Sequence, residues 1–231
     1  MSNKIERETV CRRCGQPIKA VLYPRITVPN DLKLRGRIMD ETLFDAECPQ
    51  CKALSQQLSY NLLYTDLKRR FMVYLMPRLD GFCAVDDELE NEFSHLAPIT
   101  KRAVSNVNAL KEKIYCFENS LDDMALELTK LAVSRTVAAK FGVSQVREGY
   151  LSVCDTQRNS MGFLFFVGEN KEPYLQSARL ELYSKAARIA AAFAQKDRQR
   201  QGFLKIDREW ADNMIYRYNS KKQNPPKSER G

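Results

Sequence analysis

The residues of this chain best suited to chemistry are four cysteines in two close pairs, Cys11/Cys14 and Cys48/Cys51. Thiolates are soft ligands, and four of them are what a tetrahedral Zn²⁺ takes. Two cysteines separated by two residues hold one metal from a tight knuckle turn. A second knuckle alongside closes the tetrahedron and leaves no position for water or substrate. The spacing therefore predicts one structural Zn²⁺ held by Cys11, Cys14, Cys48 and Cys51. A redox dithiol is the alternative. It is disfavoured because two pairs are present and neither opens a helix beside a βαβ pattern. The 33 residues between Cys14 and Cys48 exceed the gap of a compact ribbon and predict an elaborated one with a helical insert.

Catalytic constellations are scarce. His95 is the only histidine, so any Ser/His/Asp or Cys/His mechanism would have to run through it. No glycine-rich phosphate loop, no H-E-x-x-H and no G-x-S-x-G occurs. His95 reads as a surface loop histidine. Cys83, Cys116 and Cys154 are isolated and read as buried or loop thiols. Carboxylate chemistry around Asp86 and Asp87 is the remaining enzymatic possibility, and a hydrolase or nuclease of that kind is the least favoured reading. No catalytic residue is assigned.

Composition sets the wider limits. Hydrophobic residues make up 44% of the chain and charged residues 29%, which suits a globular protein able to bury a core without disulfides. No apolar run reaches transmembrane length, and the polar start from Met1 to Glu8 is unlike a secretory signal. A cytoplasmic location is expected, where thiols stay reduced and bind metal. The net charge is +8, from 37 basic and 29 acidic residues. Residues 1–40 hold nine basic and four acidic side chains, and residues 195–231 hold ten and five. Asp80 to Glu92 is acidic with no base.

Several elements must position the thiols. Gly15 after the first knuckle permits a positive φ. Ile18 to Val28 predicts one or two strands broken at Pro24. Asn30 is a candidate cap for a short helix through Asp40, with Leu32, Leu34 and Ile38 as its apolar side. Leu43 to Glu47 predicts a strand into the second knuckle. Gln56 to Leu63 and Phe71 to Met76 predict a hairpin around Thr65-Asp66-Leu67-Lys68. Ile99 to Val104 predicts another strand.

Ser105 or Asn106 caps a helix whose apolar stripe is Val107, Leu110, Ile114 and Phe117. A second amphipathic helix carries Leu121, Met124, Ala125, Leu128, Leu131 and Ala132, with Ser120 and Asp123 as a capping pair and Gly142 at its C-terminal end. Lys111, Glu112 and Lys113 fall on the polar face of the first helix. Asp122 and Asp123 fall in the first turn of the second, where they meet the helix dipole favourably.

These blocks carry a resemblance. Cys48-Pro49-Gln50-Cys51, Leu63-Tyr64-Thr65-Asp66, Phe71-Met72-Val73-Tyr74-Leu75, Leu110-Lys111-Glu112-Lys113-Ile114 and Phe117 to Asp123, in that order and spacing, resemble the CpXC domain over about residues 5–135. The resemblance implies a bacterial or archaeal domain containing a zinc ribbon. It transfers a fold and a metal, and no reaction.

Beyond Gly142 the pattern changes. Tyr150 to Cys154 and Gly162 to Val167 predict a β-hairpin. A long helix is expected from Tyr174 to Gln199, with an alanine-rich middle suited to close helix approach inside the chain or to homo-oligomer formation. Asp207 is a candidate cap for a last helix carrying Trp210, Met214 and Tyr218. Trp210 reads as a packing anchor, with base stacking the lesser possibility.

The expected fold class is α+β: an elaborated four-cysteine zinc ribbon with β-sheet, a helical hairpin, and an α/β C-terminal extension. The expected organisation is a ribbon domain with the helical hairpin over 1–140, a C-terminal β-hairpin plus helices over 141–218, and a disordered basic tail over 219–231. The preferred function is a non-catalytic, zinc-stabilised interaction module or adaptor for a protein partner, with no membrane partner. Nucleic-acid binding through Arg12, Arg13, Lys19, Arg25, Lys33, Arg35 and Arg37 is the alternative.

Overall fold

The computed structural model describes residues 3–56, 60–77, 91–96 and 98–223. The chain divides into two compact units, Met1–Ile114 with Gln201–Lys205, and Tyr115–Arg200 with Ile206–Gly231. Both mix helix and strand, so the class is α+β. Among the described residues no helix is long and apolar enough to cross a membrane.

The first unit is built on a five-stranded mixed sheet in the order β1-β2-β5-β6-β7. Its strands are β1 (Asn3–Val10), β2 (Pro17–Val28), β5 (Leu62–Asp66), β6 (Phe71–Leu75) and β7 (Thr100–Val104). A two-stranded ribbon, β3 (Asp45–Glu47) with β4 (Leu54–Gln56), stands apart from it. β2 runs unbroken through Pro24. The register of β1 against β2 shifts between Asn3 and Ile5, opposite Leu22–Arg25. The missing Pro24 N–H therefore falls where the ladder is already irregular.

Every residue of β5 and β6 is buried, as the central strands of a sheet covered on both faces must be. On one face Leu63, Met72, Tyr74, Met76 and Ala103 form a core with Phe203, packed by Phe93, Leu96 and Ile99. Phe203 arrives from far along the sequence because Leu204 bridges to Arg102, extending the sheet beside β7. Nothing in the pattern of Gln201–Lys205 announces that return.

The expected hairpin is β5–β6, and its turn is set by Asp66. This carboxylate is buried and accepts from Arg69 N and Arg69 Nη1, each at 2.9 Å. Gln56 belongs instead to the β3–β4 ribbon. The short helix α1 (Leu32–Met39) is preceded by Asp31, not capped by Asn30, and Asp31 Oδ2 accepts from Thr27 N at 2.9 Å. Ile38 is its buried residue, whereas Leu32 is largely exposed. Asn106 caps α2 (Val107–Glu118), accepting from Ala109 N at 2.8 Å. Leu110 and Ile114 are buried as the stripe requires, but Glu112 and Lys113, expected on the polar face, are buried too. A stripe identifies the buried centre of a helix, not how far its neighbours close over the flanks.

The second unit centres on α3 (Asp123–Phe141). It packs against the sheet β8 (Glu148–Asp155), β9 (Ser160–Val167) and β10 (Glu172–Arg179), and against helices α4 (Leu180–Phe193) and α6 (Arg208–Gln223). α3, expected to be amphipathic, is instead buried nearly all round. Asp123, Glu127, Thr129 and Ser134 are enclosed with its leucines, as befits a central helix. The hydroxyls of Thr129 and Ser134 meet this burial by donating back to the carbonyls of Ala125 and Leu131, at 2.7 and 2.8 Å.

The N-cap of α3 is Asp122, not Ser120. Asp122 Oδ1 accepts from Met124 N at 3.0 Å, while Ser120 takes φ 56° and ends α2. Gly142 ends α3 at φ 64°. Asp122 also pairs with Arg198 and donates its N–H to Tyr183 Oη at 2.7 Å. Burial pushes the Tyr183 phenol up to about 12. Asp122→Ala is expected to lower stability by about 1–2 kcal/mol, most of it the cap and the rest a half-exposed ion pair. A lower urea midpoint at unchanged slope would show it, with Asp122→Asn retaining most of the loss-free behaviour.

Two C-terminal expectations change. The hairpin is a three-stranded meander in the order β10-β9-β8, and Tyr174–Arg179 is strand, not helix. Gly168 and Lys171, at φ 72° and 50°, turn the chain back, and β10 then pairs with β9 along its whole length. Partner strands override a weak local preference here. The helix begins at Leu180 and breaks at Ala194 before the short α5 (Gln195–Gln199). Asp207 caps α6 through Trp210 N at 3.1 Å. α6 reaches Gln223, so Asn219–Gln223 are helical where a tail was expected. Residues 224–231 lie outside the described residues. The alanine-rich face is used within the chain: Ala186 and Ala190 are buried and α4 packs on α3.

Candidate metal centre

The four cysteines come together although 33 residues separate the pairs. Cys11 and Cys14 sit in the turn between β1 and β2, and Cys48 and Cys51 in the turn between β3 and β4. The two turns repeat one another bond for bond. Cys11 N donates to Gln16 O at 2.8 Å, and Cys48 N to Ala53 O at 3.0 Å. Gly15 N donates to Cys11 O, and Lys52 N to Cys48 O. The residue after each second cysteine takes a positive φ, 73° at Gly15 and 57° at Lys52. Glycine adopts this conformation freely, whereas Lys52 carries a cost on the order of 1 kcal/mol. The sequence signals the first turn through Gly15; no residue type signals the second.

The four sulfurs lie within 4.8 Å of one another. Cys11 Sγ is 3.6 Å from Cys51 Sγ, and Cys14 Sγ is 3.6 Å from Cys48 Sγ. All four are free thiols, and the closest approaches far exceed a disulfide bond of about 2.05 Å. Cys11 and Cys48 are buried, Cys51 half-buried and Cys14 exposed. A small apolar cluster of Ile18, Ala20, Leu22 and Ala46 surrounds them. Tyr60 packs on this cluster and accepts from Tyr23 N at 3.4 Å, a contribution the cysteine motifs do not reveal.

The thiols are unequal in acidity. Hydrogen bonds from the backbone of Cys14 and Arg13 lower Cys11 to about 6. Cys48 is lowered chiefly by the backbone N–H of Cys51. Cys14 receives a lowering hydrogen bond from the Gln16 backbone, but partial desolvation of its sulfur and the adjoining thiols of Cys51, Cys11 and Cys48 outweigh it and push Cys14 up to about 12. Backbone N–H groups aimed at sulfur favour thiolate, and crowding four thiols opposes it. A cation among them resolves that conflict. Four soft donors at this spacing could hold one metal ion and would fill a tetrahedral shell.

The family model described as CpXC protein matches residues 9–130, a little over half of the 231-residue chain. The chain belongs to the CpXC family. The match takes in both knuckles, α2 and the first turns of α3. The Cys-Pro-x-Cys form is present at Cys48-Pro49-Gln50-Cys51. No curated protein and no solved structure matches the chain.

The remaining expected residues fall elsewhere. His95 is exposed. Asp86, Asp87 and Cys83 lie outside the described residues. Cys116 is buried, and its thiol donates to Leu121 O at 3.5 Å. Burial pushes Cys154 up. Trp210 is half-buried and donates Nε1–H to Asp197 Oδ2 at 3.0 Å, as a packing anchor would. The seven basic residues expected to meet nucleic acid do not stand as a uniform cationic surface. Arg25 makes a bidentate pair with Glu92 at 2.6 and 2.7 Å, Lys19 lies opposite Glu8 across the β1–β2 ladder, and Arg37 donates to Thr42 O at 2.9 Å.

Proposed function

We propose that this CpXC protein is a non-catalytic interaction module whose first unit is held by one structural Zn²⁺ on Cys11, Cys14, Cys48 and Cys51. Zinc–sulfur bonds of about 2.3 Å in a tetrahedron put the sulfurs about 3.8 Å apart, inside the range of the observed cluster. Four protein ligands leave no open coordination position, so the ion shapes the fold and takes no substrate.

One observation carries the interaction reading. The outer face of the three-stranded sheet bears Tyr150, Leu164, Phe166, Leu175 and Val153 in neighbouring cross-strand positions. Leu175 is 57% exposed and Val153 47%. Gly162 pairs with Val153, and the Leu175 side chain reaches diagonally over the space its missing Cβ leaves. Apolar side chains grouped this way on a sheet face favour a protein partner. The mixed charge around Arg25 and Lys19 supports nucleic-acid binding less well.

The test is capture of partners from the native lysate by the tagged, metal-loaded chain, with and without nuclease, beside the variant Leu175→Asp. A stoichiometric protein that survives nuclease and is lost with Leu175→Asp is the expected result. Capture abolished by nuclease and indifferent to Leu175→Asp would overturn the reading in favour of nucleic acid.

A further inference from the structure

Away from the thiols, the second unit holds a cleft of about 450 Å³ lined by Phe141, Val143, Val167, Pro173, Tyr174 and the turn carrying Glu169 and Glu172. Its size is that of a ligand site. Phe141 and Tyr174 meet edge to face with centroids 4.9 Å apart, and Phe141 is 44% exposed. The lining has two carboxylates and no basic residue.

Neither carboxylate meets a hydrogen-bond or ion-pair partner among the described residues. Two lysines stand nearby, and neither pairs with these carboxylates. Lys171, in the same turn, pairs with Glu148 at 3.0 Å. Lys140 donates to Tyr174 Oη at 2.6 Å and lies over the Tyr174 ring, 4.6 Å from its centroid, so the ring left to a ligand is that of the exposed Phe141. Several other carboxylates of this unit are matched: Asp122 with Arg198, Asp155 with Arg158, and Asp212 with Arg135 and Arg208. Among the described residues, two negative charges stay unanswered at the rim of the aromatic cleft.

We infer that this cleft takes an arginine side chain of the protein partner, presented on an extended peptide; the inference rests on the interaction reading above. A planar guanidinium stacks on aromatic rings and pairs with carboxylates from one position, which an ammonium does less well. The lining is apolar enough to cover the arginine stem and its neighbours. The cleft opens at β10, the edge strand of the sheet, and an extended peptide can lie along such an edge while one side chain enters the pocket.

The test is a titration of the isotope-labelled full chain, followed by amide shifts, with a nine-residue leucine–serine peptide carrying one central arginine. The same peptide with citrulline in place of arginine, and free arginine, are the controls. The expected result is saturable shifts at 141–143 and 167–174 with the arginine peptide. Binding should be about tenfold weaker for citrulline and for the double variant Glu169→Gln/Glu172→Gln, whose spectrum otherwise stays folded. Free arginine should bind more weakly than the peptide.

Equal binding of the arginine and citrulline peptides, shifts confined to other surfaces, or unchanged affinity of the double variant would overturn the inference. Free arginine binding as tightly as the peptide would overturn the peptide as its source. A partner captured equally by wild type and by the double variant would remove the cleft while leaving the interaction reading intact.

Discussion

Cys48→Ser is expected to release the metal and unfold the knuckle-bearing part of the first unit. A serine hydroxyl is a hard, neutral donor and a poor replacement for a thiolate. Structural zinc contributes about 10–16 kcal/mol in finger peptides, and a whole domain's net stability is about 5–15 kcal/mol. The apolar cluster around the thiols is too small to compensate: among the described residues its large aliphatic members are Ile18 and Leu22, beside Ala20 and Ala46. Metal content should fall from one ion per chain to none, and amides of β1–β4 should lose protection from exchange. The core of the second unit, built on Phe163, Phe165, Met161 and Leu126, should keep its protection. Cys116→Ser is the control and should retain the metal. A Cys48→Ser protein that keeps both metal and protection would contradict the four-thiolate site.

The second large effect is expected at a position with no side chain. Gly149 lies directly opposite Phe165 in the β8–β9 ladder. A Cβ added there would stand 2.2 Å from Phe165 Cδ1 and 2.5 Å from Cε1. Phe165 is 1% exposed and belongs to the core on which α3 packs, so its ring cannot move aside without disturbing Phe163, Met161 and their neighbours. Gly149→Ala should therefore cost about 1–3 kcal/mol, the usual penalty for overpacking, although alanine suits a strand better than glycine. Gly149→Ala/Phe165→Leu should recover part of this by making room. Thermal unfolding of the four proteins of that cycle measures it. An alanine variant as stable as wild type would show that the ring is not fixed by the core.

How much of this was legible in the sequence differs by element. The knuckles were, because thiolate chemistry demands two pairs at short spacing and few other arrangements use it. So were β6, β7 and α2, where an apolar run or a stripe agrees with the tertiary contacts, whereas β5 begins at Leu62 and runs through Thr65 and Asp66, which read as turn. The end of α3 was legible because only Gly142 suits a left-handed C-terminal cap. Residues whose state depends on distant partners were not. β10 reads as helix in isolation and becomes a strand by pairing with β9. Glu112 and Lys113 look solvated on a helical wheel and are buried. Asp122, rather than Ser120, caps α3, a choice between adjacent polar residues that spacing alone does not settle.

Around the candidate metal centre, the four thiols were visible and their support was not. The left-handed turn at Lys52 has no glycine to mark it, and Tyr60 joins the cluster from beyond the second knuckle. The cleft at Phe141 and Tyr174 was hidden for a similar reason. It joins the end of α3 to a turn whose following strand reads as helix in isolation, and so it exists only once β10 is in place.

The most direct measurement is metal analysis of the purified full chain together with X-ray absorption at the metal edge. The expected result is one zinc per chain with four sulfur neighbours at about 2.3 Å. A metal-free protein with folded knuckles, or a shell containing nitrogen or oxygen in place of any of the four sulfurs, would contradict a closed structural centre at Cys11, Cys14, Cys48 and Cys51.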